Sequence, residues 1–235
     1  MSGSKTKNYP PQVGEYSVKV KNGAGWTNYQ RARFQISVGQ EYHEGEKLKA
    51  SFNWAAQRFE GITICVNDTL QRFNYLYDGM SEDEAYKKSE AKGREWIERN
   101  QHIWRSIPNV KIVRWDEWKK DQGFPQRLDD INKKYETDQS FKSEVDHEIQ
   151  SFWSRRLKKN RDVAENFSAF QEFSKAYLLE EIAVFPLMFE AENAVDIYPG
   201  STLLPCKLSG NSRLGQRGYT RIDFKKNNTS MPAVA

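Results

Sequence analysis

The sequence predicts an α/β fold: a single domain whose mainly parallel sheet is covered by helices. Three observations predict it. Short apolar runs alternate along the chain with longer amphipathic segments, the pattern made by strands joined through helical crossovers. The 235 residues are enough to bury one full α/β core. The apolar run from Ala32 to Ile36 ends on Ser37 and Gly39, as a strand does at the rim of such a sheet, where ligands bind beyond the carboxyl ends of the strands.

Taken in order, residues 1–14 are polar and carry prolines, and are expected to be flexible. Residues 15–224 form the single domain, and 225–235 a flexible tail. Tyr16–Val20 reads as a hairpin-like stretch. Ala32–Ser37, Gly61–Val66, Val110–Arg114 and Val195–Tyr198 are short runs rich in β-branched residues and read as strands. Lys47–Arg58, Asp83–Ile107, Pro125–Asp138, Gln139–Leu157 and Asn166–Phe185 read as helices. In the second of these, Ala85, Trp96, Ile97, Ile103 and Trp104 share one side at a 3.6-residue period. No internal repeat is visible.

Charged residues make up 29% of the chain and aromatic ones 13%, with 7 Trp, which excludes a disordered chain. A net charge of +4 and a pI near 8.9 permit a nucleic-acid partner without demanding one, because distribution matters more than sum. Cys65 and Cys206 lie in apolar surroundings and read as core residues of a reducing compartment. His43, His102 and His147 have no ligand spacing, so neither metal nor other cofactor is expected. There is no secretion-signal pattern and no apolar run of 18 residues, so a cytoplasmic protein with no membrane contact is expected.

Several chemistries lack their motif. No G-x-S-x-G elbow surrounds Ser37, no histidine is placed for a familiar triad, and there is no phosphate-cradling G-x-x-x-x-G-K-[ST] or G-x-G-x-x-G. What remains is a set of scattered signals. Ser37 either puts a hydroxyl at the sheet rim or merely ends a strand. Lys88, Lys92 and Arg99 form one stripe of the long helix, and Lys87, Arg94 and Arg105 a second. Acids are interleaved with them, so the face is either a solvated surface or a phosphate-binding one. Arg155, Arg156, Lys158, Lys159 and Arg161 crowd five cations into seven residues, again an anion site or an exposed polar loop. Tyr177 and Glu181, four apart, share a helix face with Phe173, which would bury Glu181 at least in part. Asp196–Thr202 is a strand running into a proline turn.

Together these pieces resemble the tRNA-dependent cyclodipeptide synthases. The resemblance covers most of the chain. It is carried by Ile36-Ser37-x-Gly39, Trp54-Ala55-x-Gln57-Arg58-Phe59-Glu60, Asp68-Thr69, Asp78-Gly79, Tyr177-x-x-x-Glu181 and Tyr198-Pro199. Tyr198-Pro199, with Gln40 where one branch has asparagine, points to the XYP branch. Gln35 departs from members with glycine beside the first pocket, and Phe124 stands in the place of a family tyrosine that helps position the serine.

The resemblance implies a Rossmann-like domain similar to the catalytic domain of class I tyrosyl- and tryptophanyl-tRNA synthetases. It also implies an enzyme, an aminoacyltransferase that makes a cyclic dipeptide from two aminoacyl-tRNAs without ATP. Ser37 would carry aminoacyl and then dipeptidyl esters in a ping-pong sequence. Tyr177 and Glu181 would hold the ammonium, with Glu181 as the candidate general base, and Tyr198 would sit by the seryl ester. Gln35, Gly39, Gln40, Cys65 and Thr202 would border the substrate pockets. Lys87, Lys88, Lys92, Arg94, Arg99, Arg155, Arg156, Lys158 and Lys159 would carry the tRNA. A monomer is expected. Two other readings stay open: a non-catalytic tRNA- or RNA-binding module, and a serine-dependent acyl hydrolase, the latter opposed by the missing elbow and base.

Overall fold

The computed structural model describes residues 14–22, 26–159, 166–199 and 219–227. Six strands form one sheet: β1 (Tyr16–Asn22), β2 (Arg31–Ile36), β3 (Gly61–Val66), β4 (Val110–Arg114), β5 (Ala194–Pro199) and β6 (Tyr219–Lys226). Their order is β1-β6-β5-β2-β3-β4. Every neighbouring pair is parallel except β1 with β6, which is antiparallel at the sheet edge. The helices are α1 (Gly45–Ala56), α2 (Arg72–Tyr77), α3 (Glu82–Trp104), α4 (Trp115–Lys119), α5 (Phe124–Thr137), α6 (Gln139–Lys159) and α7 (Phe167–Ala191). This is the α/β, mainly parallel, helix-covered arrangement the sequence predicts.

The central strands are buried along their whole length in β3 and β5, and from Ala32 onward in β2. That is the signature of a parallel sheet covered on both faces, and it explains why these strands read as unbroken apolar runs. The chain leaves β2 for β3 on one side, while β5 docks on the other. The connections therefore diverge at the carboxyl ends of β2 and β5, which opens a crevice there. Ser37 follows β2 directly, and Tyr198 lies near the end of β5.

Helix α3 begins with a full capping box, Ser81 with Glu84. Its buried stripe is Ala85, Ser89, Gly93, Trp96, Asn100, Ile103 and Trp104. Gly93 is required by packing: a Cβ there would meet the Asp68 carboxylate at 2.2 Å. Asp68 is itself held by Arg114 at 2.6 Å, so it has little room to move.

Three features differ from the expected elements. Helix α7 runs through Pro186 to Ala191 instead of stopping at Phe185. The proline removes one backbone donor, but Phe185, Leu187, Met188 and Phe189 are all buried, and their packing carries the helix past it. Strand β6 is absent from the expected elements, and it extends to Lys226, into the segment read as tail. It supplies the partner of β1, which pairs across some 200 residues and not in a local hairpin. The short helices α2 and α4 also lack a periodic signal, being too brief to show one. Among the described residues, no helix is long and apolar enough to cross a membrane.

Candidate active site

Beyond β2 the chain turns sharply, with the Gln40 N–H bonded to the Ser37 carbonyl at 3.2 Å. Gly39 takes φ +88° in this turn, a left-handed conformation that favours glycine. A 3₁₀ turn at Glu41–His43 follows. It folds two aromatic residues back over Ser37 and Tyr198.

The Ser37 hydroxyl lies 3.4 Å from the Tyr198 hydroxyl, which lies 2.9 Å from the Tyr42 hydroxyl. His43 is buried under this row. Its Nδ1 accepts the Ser37 backbone N–H at 3.0 Å, the shorter of its two contacts with Ser37. The ring proton then belongs on Nε2, an assignment made from geometry, and Nε2 is buried without a hydrogen-bond partner. Burial holds the imidazole far below its usual pKa, at about 3, so it is neutral. No histidine is placed by the sequence for a familiar triad, yet the structure does put one next to Ser37. His43 grips the backbone and not the hydroxyl, so it makes no triad.

Opposite this row is α7. The Tyr177 hydroxyl accepts from Gln71 Nε2 at 3.2 Å, and burial, then the neighbouring Glu181, Tyr198 and Tyr42, push its pKa well above the usual phenol range. Glu181 is 7% exposed. Burial first, and Glu148 second, raise its carboxyl to about 8. Among the described residues it has no ion-pair partner, whereas its neighbour Glu180 is held by Arg72 and by Trp115 Nε1 at 2.7 Å. The two adjacent carboxylates are therefore in opposite conditions: Glu180 is compensated, and Glu181 is left to be neutral or to meet a cation. Gln71, which donates to Tyr177, ends the segment joining β3 to α2.

Below Ser37 the same face of the sheet is filled. Arg33 on β2 donates to Asp196 on β5 at 2.9 and 2.8 Å and to the Met188 carbonyl at 2.7 Å. Gln35 donates to Asp196 at 3.0 Å and to Met188 Sδ at 3.3 Å, leaving its Oε1 unpartnered. Cys65 pairs in register with Gln35, and burial raises its thiol to about 12.

The structure thus brings Ser37, Tyr177, Glu181 and Tyr198 around one crevice, with Tyr42, His43 and Gln71 as residues that sequence reasoning missed. His43 has no ligand spacing to mark it. Its position six residues past Ser37, inside the turn that Gly39 permits, is the available signal. Of the expected pocket residues, Gln35 and Cys65 are fully buried beneath the crevice, while Gly39 and Gln40 are exposed on the turn. Thr202, like Cys206 and Arg161, falls outside the described residues. Among the described residues, no three His, Cys, Asp or Glu side chains converge as metal ligands.

The basic residues lie on α3 and α6. Several are paired to acids: Lys87 to Asp83 at 2.6 Å, Lys92 to Glu95 at 2.7 Å, Arg99 to Glu44 at 2.7 Å, Arg155 to Glu148 at 3.5 Å. Arg94 and Lys158 are exposed and make no ion pair with the described residues; the side chain of Lys159 is not among those described. Helix α2 lies between the two groups. Lys88 sits over the Tyr75 ring at 4.6 Å, and Arg156 sits over Tyr77 at 4.5 Å and bonds Asp78 at 3.0 Å. The basic segments, far apart in sequence, flank one short helix whose other end touches Tyr177 through Gln71.

Residues 25–217 match the family model for cyclodipeptide synthase. No curated protein matches the chain. Among solved structures, a cyclodipeptide synthase from Fluoribacter dumoffii superposes with a TM-score of 0.82 at 23% identity, covering 90% of this chain and 100% of that one. One from Candidatus Glomeribacter gigasporarum, solved bound to Phe-tRNAPhe, gives 0.69 at 19% identity, over 87% and 91% of the two chains. A Mycobacterium tuberculosis protein described as relating these enzymes to type I tRNA synthetases gives 0.66 at 15% identity, over 96% and 99%. At these identities the structural likeness concerns the fold.

Proposed function

The chain belongs to the cyclodipeptide synthase family, and on that premise we propose that it joins the aminoacyl groups of two aminoacyl-tRNAs into a cyclic dipeptide through esters on Ser37, as a member of the branch marked by Tyr198-Pro199. The observation that carries this reading is a serine hydroxyl 3.4 Å from Tyr198, with Tyr177 within electrostatic reach of both Tyr198 and Glu181, a buried carboxyl that has no ion partner among the described residues.

Ser37 Oγ attacks the carbonyl carbon of an aminoacyl-tRNA ester. The bond from that carbon to the ribose oxygen breaks, the serine proton ends on the ribose oxygen, and the tRNA leaves. One ester replaces another, so the step is close to balanced and needs no ATP. The amine now held on Ser37 attacks the carbonyl carbon of the second aminoacyl ester, whose bond to the ribose oxygen breaks; the amine's proton ends on that oxygen, the second tRNA leaves, and the dipeptide stays on the serine. Its far amine then attacks the seryl ester, which closes the ring and restores the Ser37 hydroxyl. Holding both ends of the dipeptide in one crevice converts this closure into an intramolecular reaction.

Glu181 fits the amine. Its carboxyl, raised to about 8 by burial, is protonated at neutral pH in the empty crevice. An arriving ammonium supplies the missing counter-charge and pulls the carboxyl back toward its ionised form. A carboxylate and an amine with nearly matched proton affinities can exchange a proton, which is what general-base delivery of a neutral amine requires, a role commonly worth ~10²–10⁴-fold. The cations of α3 and α6, on either side of α2, are placed to hold the tRNA backbone while its acceptor end reaches the crevice.

The test is the intact mass of the protein after brief incubation with a mixture of charged tRNAs, for wild type and Ser37→Ala, with the medium scanned for cyclic dipeptides. A gain of one aminoacyl residue on wild type alone, with a cyclic dipeptide released, supports the reading. Cyclic dipeptide from Ser37→Ala rejects it.

A further inference from the structure

The turn that follows Ser37 holds both members of the Ser37–Tyr198 pair. His43 accepts the Ser37 N–H at 3.0 Å, which fixes the backbone of the serine. Tyr42, the adjacent residue, bonds the Tyr198 hydroxyl at 2.9 Å. That contact is the tighter of the two its hydroxyl makes among the described residues, since Ser37 Oγ is 3.4 Å away. The rings are packed as well. Tyr42 and Tyr198 meet edge to face at 5.9 Å and His43 and Tyr198 at 5.6 Å, while Tyr42 meets its own neighbour His43 at 4.6 Å. Three rings in mutual edge-to-face contact leave the Tyr198 hydroxyl little freedom.

We propose that Tyr42 is a positioning residue for acyl transfer at Ser37, acting by fixing the Tyr198 hydroxyl through their shared hydrogen bond. The inference rests on the reading of Ser37 as the acyl carrier. Gln40, at the position where one branch of the family has asparagine, is exposed and makes no capping hydrogen bond with its side chain. The tyrosine two residues later makes the polar contact to Tyr198.

The chemistry follows from the donor count. Each phenol has one hydrogen, and the Tyr42–Tyr198 bond uses one of the two. If Tyr198 donates to Tyr42, the Tyr198 oxygen is oriented to accept the Ser37 hydroxyl. If Tyr42 donates to Tyr198, the Tyr198 hydrogen is oriented to donate to Ser37 Oγ. Either way the direction of the Tyr198–Ser37 contact is set by Tyr42. Without Tyr42 the Tyr198 O–H is no longer held in one of its orientations about the C–O bond, and that orientation must be recovered in every turnover. Burial keeps both Tyr42 and Tyr177 above the usual phenol range, so Tyr42 acts as a neutral hydroxyl.

The experiment uses full-length Tyr42→Phe, which keeps the ring and its packing and removes only the oxygen. Measured are the single-turnover rate at which Ser37 is aminoacylated by charged tRNA, the KM for that tRNA, and the melting temperature, with Ser37→Ala beside it. The expected result is a rate lowered about three- to tenfold, the effect of one neutral hydrogen bond, with KM and melting temperature unchanged. A full wild-type rate overturns the proposal. So does a loss confined to KM, which would make Tyr42 a binding residue, or a rate loss that follows a lowered melting temperature, which would make it structural. Product from Ser37→Ala is a separate outcome that rejects the acyl-carrier reading itself, and with it the role assigned to Tyr42.

Discussion

Arg33 and Asp196 face each other across the adjacent strands β2 and β5 as a two-point ion pair from which solvent is excluded, with side-chain exposures of 0% and 1%. Burial alone would disfavour the guanidinium, and Asp196 more than reverses this, holding Arg33 above its ordinary value. The third donor of Arg33 reaches the Met188 carbonyl in the last turn of α7, where helical carbonyls lack a partner in their own helix. One side chain thus ties the sheet to the helix that carries Tyr177 and Glu181.

Asp196→Asn should therefore destabilise the fold strongly, by about 3–5 kcal/mol, because it leaves a buried guanidinium without its counter-charge. The double variant Arg33→Met/Asp196→Leu should lose less than this single variant, since it removes both charges. Urea unfolding of the wild type and the two variants checks the ordering. A single variant no less stable than the double would show that water or another group compensates Arg33.

His43 makes a second stability prediction. Its folded pKa lies near 3, against an ordinary value of 6.5. The unfolded chain therefore binds a proton that the folded chain refuses across that interval. The contribution is fully present above pH 6.5 and is lost as pH falls toward 3. His43→Asn, which can keep an acceptor for the Ser37 N–H, should show a shallower loss of stability between pH 6.5 and 3. The difference should reach on the order of a few kcal/mol at the acid end. Parallel curves for the two proteins would place the acid sensitivity elsewhere.

Much of this architecture is legible in the sequence, and the parts that are not have physical reasons. Gly61–Val66 coincides with β3 because a buried parallel strand is a short apolar run bounded by turns, whereas Val110–Arg114 coincides with β4, a largely exposed edge strand, through its β-branched residues. Strand β6 is not legible, because YTRIDFKK is mixed in polarity and its pairing with β1 is set by residues some 200 positions away. The end of α7 is misplaced because local rules stop a helix before Pro186, whereas tertiary packing of Phe185 to Phe189 overrides them. At the site, Ser37 stands out through its strand and glycine, and Tyr177 and Glu181 through their spacing. Tyr42 and His43 carry no motif: their placement depends on a turn folding back onto β5, which no periodicity records and only the preceding Gly39 turn hints at.

The cations of α3 give a binding prediction with a sharp alternative. Reversing charge at Lys88, Lys92 and Arg99 should weaken tRNA binding and reduce its salt dependence by about one unit of log–log slope for each phosphate no longer neutralised. Arg99 pairs with Glu44, which also accepts from Asn100, so melting temperature must be followed alongside. Weaker binding with an unaltered slope would point to local misfolding. Unchanged affinity and slope would assign the face to solvent, in keeping with the internal pairs of Lys87 and Lys92.

Glu181 joins stability to function. Its folded pKa, about 8, stands above the ordinary 4.5, so the folded chain holds a proton that the unfolded chain releases. The stability that protonated Glu181 contributes is therefore fully present below pH 4.5 and is lost as pH rises through 8. Among the described residues no cation pairs with Glu181, and Glu148 adds a like charge. Glu181→Gln removes the ionisation, so it should be more stable than wild type at pH 8, by on the order of a few kcal/mol, and should converge with it near pH 4.5. The same variant should lose product formation, because an amide cannot supply the negative charge that an ammonium requires or accept its proton. Thermal melts from pH 4 to 9 and a product assay on one preparation read both effects. A variant stabilised at pH 8 yet fully active would keep the buried-carboxyl account and remove Glu181 from the chemistry. A variant that is inactive but no more stable at pH 8 would mean that the empty crevice already holds Glu181 ionised.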